Sequence, residues 1–355
     1  CPTSEEVNYL VEGLQLFATD ACPIYLFPEN DSSSFDRAVT DLRAKQLRLK
    51  AMAALASFRT EEPAIYVASI QAILQKTIDL KSYFQHRQTI KVGHSQEIKA
   101  FIAILISSGY QFETVVETPG KLTTRGSIID IYPPEYEFPL RIEFWDDKIE
   151  TIRQFDPITQ KSTGVLYNEI SVGPAEDMLL YSDNQETTTA LLSSVDFSRC
   201  DPSTIDEIKA DLADIQSGTY TRDRLPYAGF FCFSTLLDYF REDVIVFDNY
   251  RKIKSKASDI IEYHLAYVQR KEIEGQRPMQ FPSPYYNWDL LNLSGEQFLY
   301  RIDLKDVLLK RRSRYLPFDS IQPTVTYEIT NWLDSLTEPI STNQYVIIAS
   351  AYPDR

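Results

Sequence analysis

Cysteine, histidine and glycine are all scarce in this chain of 355 residues. The four cysteines and three histidines show neither Cys-x-x-Cys nor mixed Cys/His spacing, so the sequence predicts no metal site. Sparse, scattered cysteine is typical of a reducing compartment. No run approaches the roughly 18 apolar residues of a membrane span, and no basic segment followed by a hydrophobic one opens the chain. We therefore expect a cytoplasmic protein that does not engage a membrane.

A phosphate-binding loop of the form G-x-x-x-x-G-K-S/T is also missing from a sequence with only 11 glycines. The apolar segment DVIVFDN, residues 243–249, ends in Asp248 as an ATPase strand does, but Asn249 stands where such a site needs a glutamate. Because an amide cannot act as a general base, a strand of ATPase descent would have lost hydrolysis here. The alternative is that Asp248 has no ATPase origin, because any parallel strand can end in aspartate. We expect no enzyme activity and no cofactor within these residues.

Basic residues are outnumbered, with 36 Lys and Arg against 51 Asp and Glu, which gives a formal charge of −15. A balance this acidic argues against a chain whose main task is to grip phosphate backbones without sequence preference. The hydrophobic content of 43% and aromatic content of 12% are typical of globular proteins. The length predicts two or three domains and the charge favours protein partners.

Strand and helix patterns alternate in the first part of the chain, with helices predicted at 4–19, capped by Ser4, and at 35–57 and 70–76, and strands at 23–27 and 64–68. This order indicates a parallel, doubly wound α/β layer. A helix is predicted from Ser95 to just before Gly109, with a buried stripe that ends at Ile106. Residues 112–172 show only short alternating runs, which predict a small α+β domain on an antiparallel sheet. Helices at 203–216, 234–240 and 252–274 and the strand at 243–249 then return, so one wound domain is interrupted by another.

The segment Leu140–Trp145 alternates with period two. Its leucine, isoleucine and phenylalanine point one way, while Arg141, Glu143 and Trp145 point the other. Tryptophan beside an arginine on an outward face is typical of an interface, since both types are enriched among binding hot spots. The alternative is that Trp145 lies under a neighbouring loop as ordinary core.

A tight hairpin turn is predicted at Asp146 and Asp147, because aspartate tolerates the positive φ that such turns require. In this register Phe144 and Ile149 face the core together. Glu143 would then sit opposite Glu150, a repulsive pair that a basic group on a partner could relieve.

Two segments carry a family resemblance: GKLTTRGSIIDIYPP at 120–134 and PLRIEFWDDKIETIRQFDPITQKS at 139–162. They resemble the signature of the domain shared by bacterial transcription-repair coupling factors (Mfd) and the excision-repair subunit UvrB, a domain that docks onto UvrA in both families. Weaker similarity extends through 25–36 and 237–249. UvrB carries a DNA-inserting β-hairpin, for which the predicted run from helix to strand at 36–67 leaves no room. The resemblance therefore favours the coupling factors, with a fragment of a UvrB-type repair helicase as the alternative.

This resemblance implies an α/β fold in which a degenerate RecA-like, doubly wound domain (P-loop NTPase-like) occupies residues 1–88 and 179–311. A small α+β UvrA-binding domain with an antiparallel sheet, residues 89–178, would interrupt it. Residues 312–355 would form a linker and the start of a further α/β domain, with a helix and a strand at 345–350.

By position in the motif, the family's UvrA contacts fall on Arg125, Arg141 and Trp145, with Glu143 as a secondary contributor. Coupling factors more often carry phenylalanine at the position of Trp145. Asp248 and Asn249 would belong to a degenerate nucleotide site. The implied role is recruitment of UvrA, while RNA polymerase and double-stranded DNA would be partners of a full-length protein through other domains.

Overall fold

The computed structural model describes residues 1–16, 22–30, 41–57, 63–179, 185–217, 224–240, 244–291 and 298–302, all within the compact unit Cys1–Arg314. Its helices are α1 Ser4–Gln15, α2 Leu42–Ala56, α3 Ile70–Leu74, α4 Leu80–Gln85, α5 Ile98–Ser107, α6 Gln185–Ser194, α7 Pro202–Ser217, α8 Ala228–Phe231 and α9 Tyr250–Ile273. Its strands are β1 Ile24–Phe27, β2 Ile65–Ala68, β3 Gln88–Lys91, β4 Gln111–Phe112, β5 Lys121–Arg125, β6 Ile128–Ile131, β7 Leu140–Trp145, β8 Lys148–Phe155, β9 Ser162–Leu166, β10 Glu169–Val172, β11 Val244–Asp248 and β12 Phe298–Ile302.

Parallel strand pairs lie at both ends of this unit. β1 pairs with β2 and β11 pairs with β12, each in parallel, so the strands expected at 23–27, 64–68 and 243–249 are confirmed. Within the described residues these are separate two-stranded sheets rather than one continuous wound layer. The chain is thus a mixed α/β protein.

Residues on both sides of the antiparallel region share one hydrophobic core. Phe27 and Met52 from the first part pack with Leu179, Leu225 and Tyr239 from the part that follows β10. Between them, β3 and β10 pair in antiparallel fashion at the entrance and exit of the inserted segment. A shared core means that the two flanking parts fold as one body around the insertion.

A six-stranded sheet with the order β4-β5-β6-β7-β8-β9 dominates the inserted segment. Strands β5 to β9 form an antiparallel meander, as the alternating sequence predicted, and β4 adds to β5 in parallel. The inner face packs against α5, where Phe101 and Leu105 meet Ile129, Ile142 and Ile152. Each of these side chains stabilises the fold by about 1.5–3 kcal/mol when it is buried rather than exposed to water. The opposite face of the sheet is therefore the one that faces solvent.

Helix α5 ends as predicted at Gly109, whose φ of +92° suits a residue without a side chain. It begins at Ile98 rather than Ser95, because Ser95 forms a β-bridge with Lys148. Ile106 was expected in the buried stripe, but it is exposed because it lies at the margin of the face that α5 turns to the sheet.

Other helix ends differ from expectation for local reasons. Thr3, not Ser4, caps α1 by accepting a hydrogen bond from the Glu6 amide (3.3 Å). The helix expected at 234–240 is only a 3-10 turn, Leu236–Tyr239, held by a reciprocal cap between Thr235 and Asp238. The predictions for 31–40, 58–62 and 303–355, which include part of the hairpin argument and the start of a further domain, lie outside the described residues.

Candidate docking surface on the antiparallel sheet

The outward face of the sheet arranges polar side chains in two rows across β5, β6, β7 and β8. One row runs through Thr123, Asp130, Arg141 and Arg153, and the next through Arg125, Ile128, Glu143 and Thr151. Residues directly opposite on neighbouring strands share a face, so three of the four predicted site residues, Arg125, Arg141 and Glu143, lie on one surface. Trp145 ends β7 on this same face.

Arg141 is held in place by its neighbour on β6. Its Nε lies 2.6 Å from Asp130 Oδ1 and its Nη2 lies 2.8 Å from Oδ2, so the pair is bidentate. Asp130 is only 1% exposed, and the guanidinium carbon lies 4.7 Å from the centre of the Phe155 ring. The hydrogen bonds to Asp130 raise the pKa of Arg141 further above its ordinary value. The guanidinium is therefore fixed in orientation, with Nη1 outside the pair.

Glu143 does not face Glu150, and that prediction is wrong. The register of β7 and β8 shifts between Glu143 and Phe144, so a β-bulge at Glu150 brings Thr151 opposite Glu143. Thr151 Oγ1 donates a hydrogen bond to Glu143 Oε2 (2.8 Å), and Arg153 forms an ion pair with the other oxygen. The bulge replaces a repulsive neighbour with two donors.

The rest of the predicted hairpin is confirmed. Phe144 and Ile149 are paired and buried, and Asp146 has a φ of +58° in the turn. The Gln96 amide donates to the Asp147 carbonyl (2.7 Å), which ties the turn to the loop before α5. The position of the neighbouring Trp145 is thus well supported by backbone contacts.

Trp145 is 76% exposed, so it is not ordinary core under a loop. Its cross-strand partner is Lys148. A single exposed apolar residue is common on soluble proteins. Here, however, Leu166 on β9, the cross-strand partner of Arg153, is also exposed, so the outward face carries apolar side chains beside its charged ones.

Arg125 is exposed at the end of β5, where its guanidinium reaches only the Thr114 carbonyl, at 3.5 Å. Gly126, which follows it, has a φ of +64° in the turn to β6. The Arg-Gly pair of the motif therefore combines a turn that requires glycine with an exposed cation.

Sequence reasoning missed Asp130, Thr151 and Arg153 as members of this surface. Alternation within β6 and β8 could have placed all three outward. Their pairing partners depend on cross-strand register and on the bulge, which single-strand periodicity does not reveal.

The second predicted site, Asp248 and Asn249, lies apart from this surface at the end of β11. Asn249 adopts a left-handed backbone (φ +59°) and its side chain accepts a hydrogen bond from the Lys252 amide (3.2 Å), which caps α9. Asp248 Oδ2 lies 4.0 Å from the Cys1 sulfur.

Among the described residues, no group of three or more His, Cys, Asp or Glu could hold a metal ion. In the same part of the chain, no helix is both long and apolar enough to cross a membrane.

Comparison with known families shows what the sheet segment is similar to. The family model described as the UvrB interaction domain matches residues 89–178. The name UvrB interaction domain is used for residues 89–178 after the family that they match. The predicted docking residues Arg125, Arg141, Glu143 and Trp145 all fall within it.

Curated relatives place the UvrB interaction domain in a larger context. The transcription-repair-coupling factors of Staphylococcus epidermidis and Staphylococcus haemolyticus are 27% and 28% identical over 251 residues, 66% of this chain and 20% of each relative. The transcription-repair-coupling factor of Bacillus subtilis is 31% identical over 157 residues, 44% of this chain and 13% of the relative. The predicted resemblance to coupling factors is confirmed, and the chain spans about a fifth of the length of its matched Staphylococcus relatives.

Proposed function

We propose that this chain recruits UvrA to sites of transcription-coupled nucleotide excision repair through the outward face of its UvrB interaction domain. The observation that carries the proposal is the combination of a bidentate, pre-oriented Arg141 with an exposed Trp145 on the outward face of β7, with Glu143 between them. Cations held in one orientation and large exposed aromatic rings are typical central anchors of interfaces, because these side chains lose little conformational freedom on binding.

Each residue has a distinct role in this proposal. Trp145 buries its ring in an apolar pocket of UvrA, and Arg125 offers an exposed cation at the edge of the patch. Arg141 presents Nη1 to an acidic group while Asp130 holds the other nitrogens. Glu143 contributes by ordering Thr151 and Arg153 beside these anchors.

The remainder of the chain serves as scaffold. Residues 1–88 and 179–311 form a degenerate RecA-like domain around the UvrA-binding domain at 89–178, and residues 312–355 begin a further domain. The use of Asn249 as a helix cap supports a nucleotide site that does not hydrolyse ATP. In a full-length, cytoplasmic coupling factor, other domains would engage RNA polymerase and double-stranded DNA.

A titration of purified UvrA with the chain and its Trp145→Ala variant tests the function. Loss of a central anchor costs about 2 kcal/mol or more, so the variant's affinity should fall by roughly thirtyfold. Tyr263→Ala is the matched control, since Tyr263 is a similarly exposed aromatic (73%) on α9. Equal affinities for both variants and the parent would contradict the proposal.

The alternative, a fragment of a UvrB-type helicase, draws on one observation: Asp248 ends a strand with a parallel partner, as in ATPases. It predicts measurable ATP affinity, whereas the recruiting module should bind no ATP in equilibrium dialysis.

A further inference from the structure

Two arginines face outward in the same row of the sheet, and they are bound differently. Arg141 engages both oxygens of Asp130 through Nε and Nη2. Arg153, directly opposite on β8, reaches Glu143 through Nη2 alone. Arginine and carboxylate favour a fork-to-fork geometry with two parallel bonds, so the Arg153 pair is incomplete.

The Nε of Arg153 is buried and has no hydrogen-bond partner among the described residues. A buried donor that is left without a partner destabilises the unbound protein. The side chain as a whole is nevertheless 33% exposed, so part of it reaches solvent. Glu143 would keep its bond from Thr151 if Arg153 turned away. Arg153 therefore has an unused donor at Nε. It can donate that bond to a second carboxylate without leaving Glu143 unpaired.

An exposed apolar side chain lies beside Arg153. Leu166 on β9 is its direct cross-strand partner and is 71% exposed, whereas its partner on β7 is Arg141. Apolar groups that flank a cation exclude water when a partner closes over them, which strengthens the ion pair. This arrangement suits a carboxylate that is itself flanked by apolar residues.

The edge of the sheet at β9 is unsuited to a strand-adding partner. The register of β8 and β9 is irregular between Arg153 and Phe155, and Gly164 within β9 has a φ of +88°. Bulges and kinks of this kind protect sheet edges from pairing with another chain. Contact at this edge must therefore run through side chains.

We propose that Arg153 and Leu166 extend the docking surface onto β8 and β9, where Arg153 takes an acidic side chain of UvrA and Leu166 packs beside it. The inference rests on the proposed function and adds the chemistry of a second contact to it. On binding, the partner carboxylate bonds both Nε and Nη2 of Arg153, and Glu143 keeps Thr151.

Titration calorimetry of UvrA with the variants Arg153→Ala, Arg153→Lys and Leu166→Ala tests this contact. We expect at least a tenfold loss of affinity for Arg153→Ala and a smaller loss for Arg153→Lys, which keeps the charge but not the fork. Leu166→Ala should lose threefold to tenfold. The Arg153→Ala variant should also show a weaker dependence of affinity on salt, because an intermolecular ion pair is gone.

A Glu143→Gln variant separates contact from positioning. If Arg153 touches UvrA, Arg153→Ala should lose at least tenfold in affinity in the Glu143→Gln background as well, whatever Glu143→Gln itself costs. Equal losses for Glu143→Gln, Arg153→Ala and the double variant would mean that Arg153 acts only by holding Glu143, and the inference would be overturned.

The control for the underlying function is Trp145→Ala, measured in the same series. If Trp145→Ala loses affinity while Arg153→Ala stays within twofold of the parent, the Arg153 contact is wrong and UvrA recruitment stands. If neither variant loses affinity, recruitment by this face is itself wrong. Unchanged near-ultraviolet circular dichroism in each variant excludes a fold defect as the cause.

Discussion

Charged pairs occur in two regions of this molecule, and their burial sets them apart. On the outward face of the sheet, Arg141 and Arg153 are partly exposed partners of Asp130 and Glu143. At the end of the UvrB interaction domain, Arg48 lies 2.5 Å from Asp177, and both side chains are buried. Arginine–carboxylate pairs therefore lie on an exposed surface in one region. In the other region they belong to a largely buried cluster of Lys45, Arg48, Glu176 and Asp177, here called the joint.

The joint connects three parts of the chain. Glu176 and Asp177 lie at the C-terminal end of the domain, and α2 supplies Lys45 to the first (2.5 Å) and Arg48 to the second. Arg48 also stacks 4.0 Å from the centre of the Phe27 ring. Removal of one member of a buried pair leaves an uncompensated charge, whereas exposed pairs contribute little to stability. The joint should therefore govern folding, and the outward face should govern binding.

The largest expected effect is on the joint. Arg48→Met leaves Asp177 buried without its cation, so the free energy of unfolding should fall by about 3–5 kcal/mol. Urea denaturation followed by circular dichroism measures the change. Arg43→Met, an exposed change on the same helix, is the control and should stay within about 0.5 kcal/mol. A small effect at Arg48 would remove the distinction between the two regions.

A pH-dependent effect is expected beside the joint, in a cavity of about 330 Å³ between α2 and the UvrB interaction domain. Burial there raises the pKa of Glu135 to about 7, although the Gly173 amide donates to its carboxylate (2.5 Å). Its other charged and titratable neighbours in the cavity are Tyr25, Lys50, Tyr83, Arg87, Tyr136 and Glu137, and Tyr110 also acts on it.

Because the folded-state pKa of Glu135 is raised, its contribution to stability is present below about pH 4.5 and is lost as pH rises through about 7. Relative to the parent, Glu135→Gln should therefore gain stability across this window, by on the order of 2–3 kcal/mol, and no more above it. Urea denaturation at a series of pH values measures the difference. A difference that does not vary with pH would contradict the assignment.

A smaller loss of stability is expected when Asp130, the buried partner of Arg141 on the outward face, is replaced. Asp130→Asn breaks the bidentate pair but leaves Arg141 partly in water, so unfolding should cost about 1–2 kcal/mol less than in the parent. UvrA affinity should also fall, since Arg141 loses its fixed orientation. Retained affinity would mean that the Asp130 pair plays no part in docking.

The smallest effect on stability is expected at Trp145. Because its ring is mostly in water, Trp145→Ala should change the free energy of unfolding by less than about 0.5 kcal/mol, despite its large effect on UvrA affinity. Chemical denaturation of the variant beside the parent tests this. Marked destabilisation would show that the ring supports the fold and is not reserved for a partner.

The sequence predicted well those features that depend on local pattern. The alternation of β7, its hairpin turn and the antiparallel sheet were all evident from residues close in sequence. The bulge at Glu150 and the hydrogen bonds from Arg141 to Asp130 were not, because they depend on how separate strands align. For the same reason the roles of Arg153 and of the buried Arg48 could not be predicted. Charge pairing across strands and between domains is a property of the assembled fold.

The most direct test of UvrA recruitment is a calorimetric titration of UvrA with this chain and its Arg141→Ala variant, both checked for fold by circular dichroism. Arg141 is the pre-oriented cation at the centre of the outward rows, so its loss should weaken binding by at least tenfold. Binding of UvrA by the parent with this loss in the variant is the predicted result. No binding by the parent, or equal binding by a folded variant, would contradict the account.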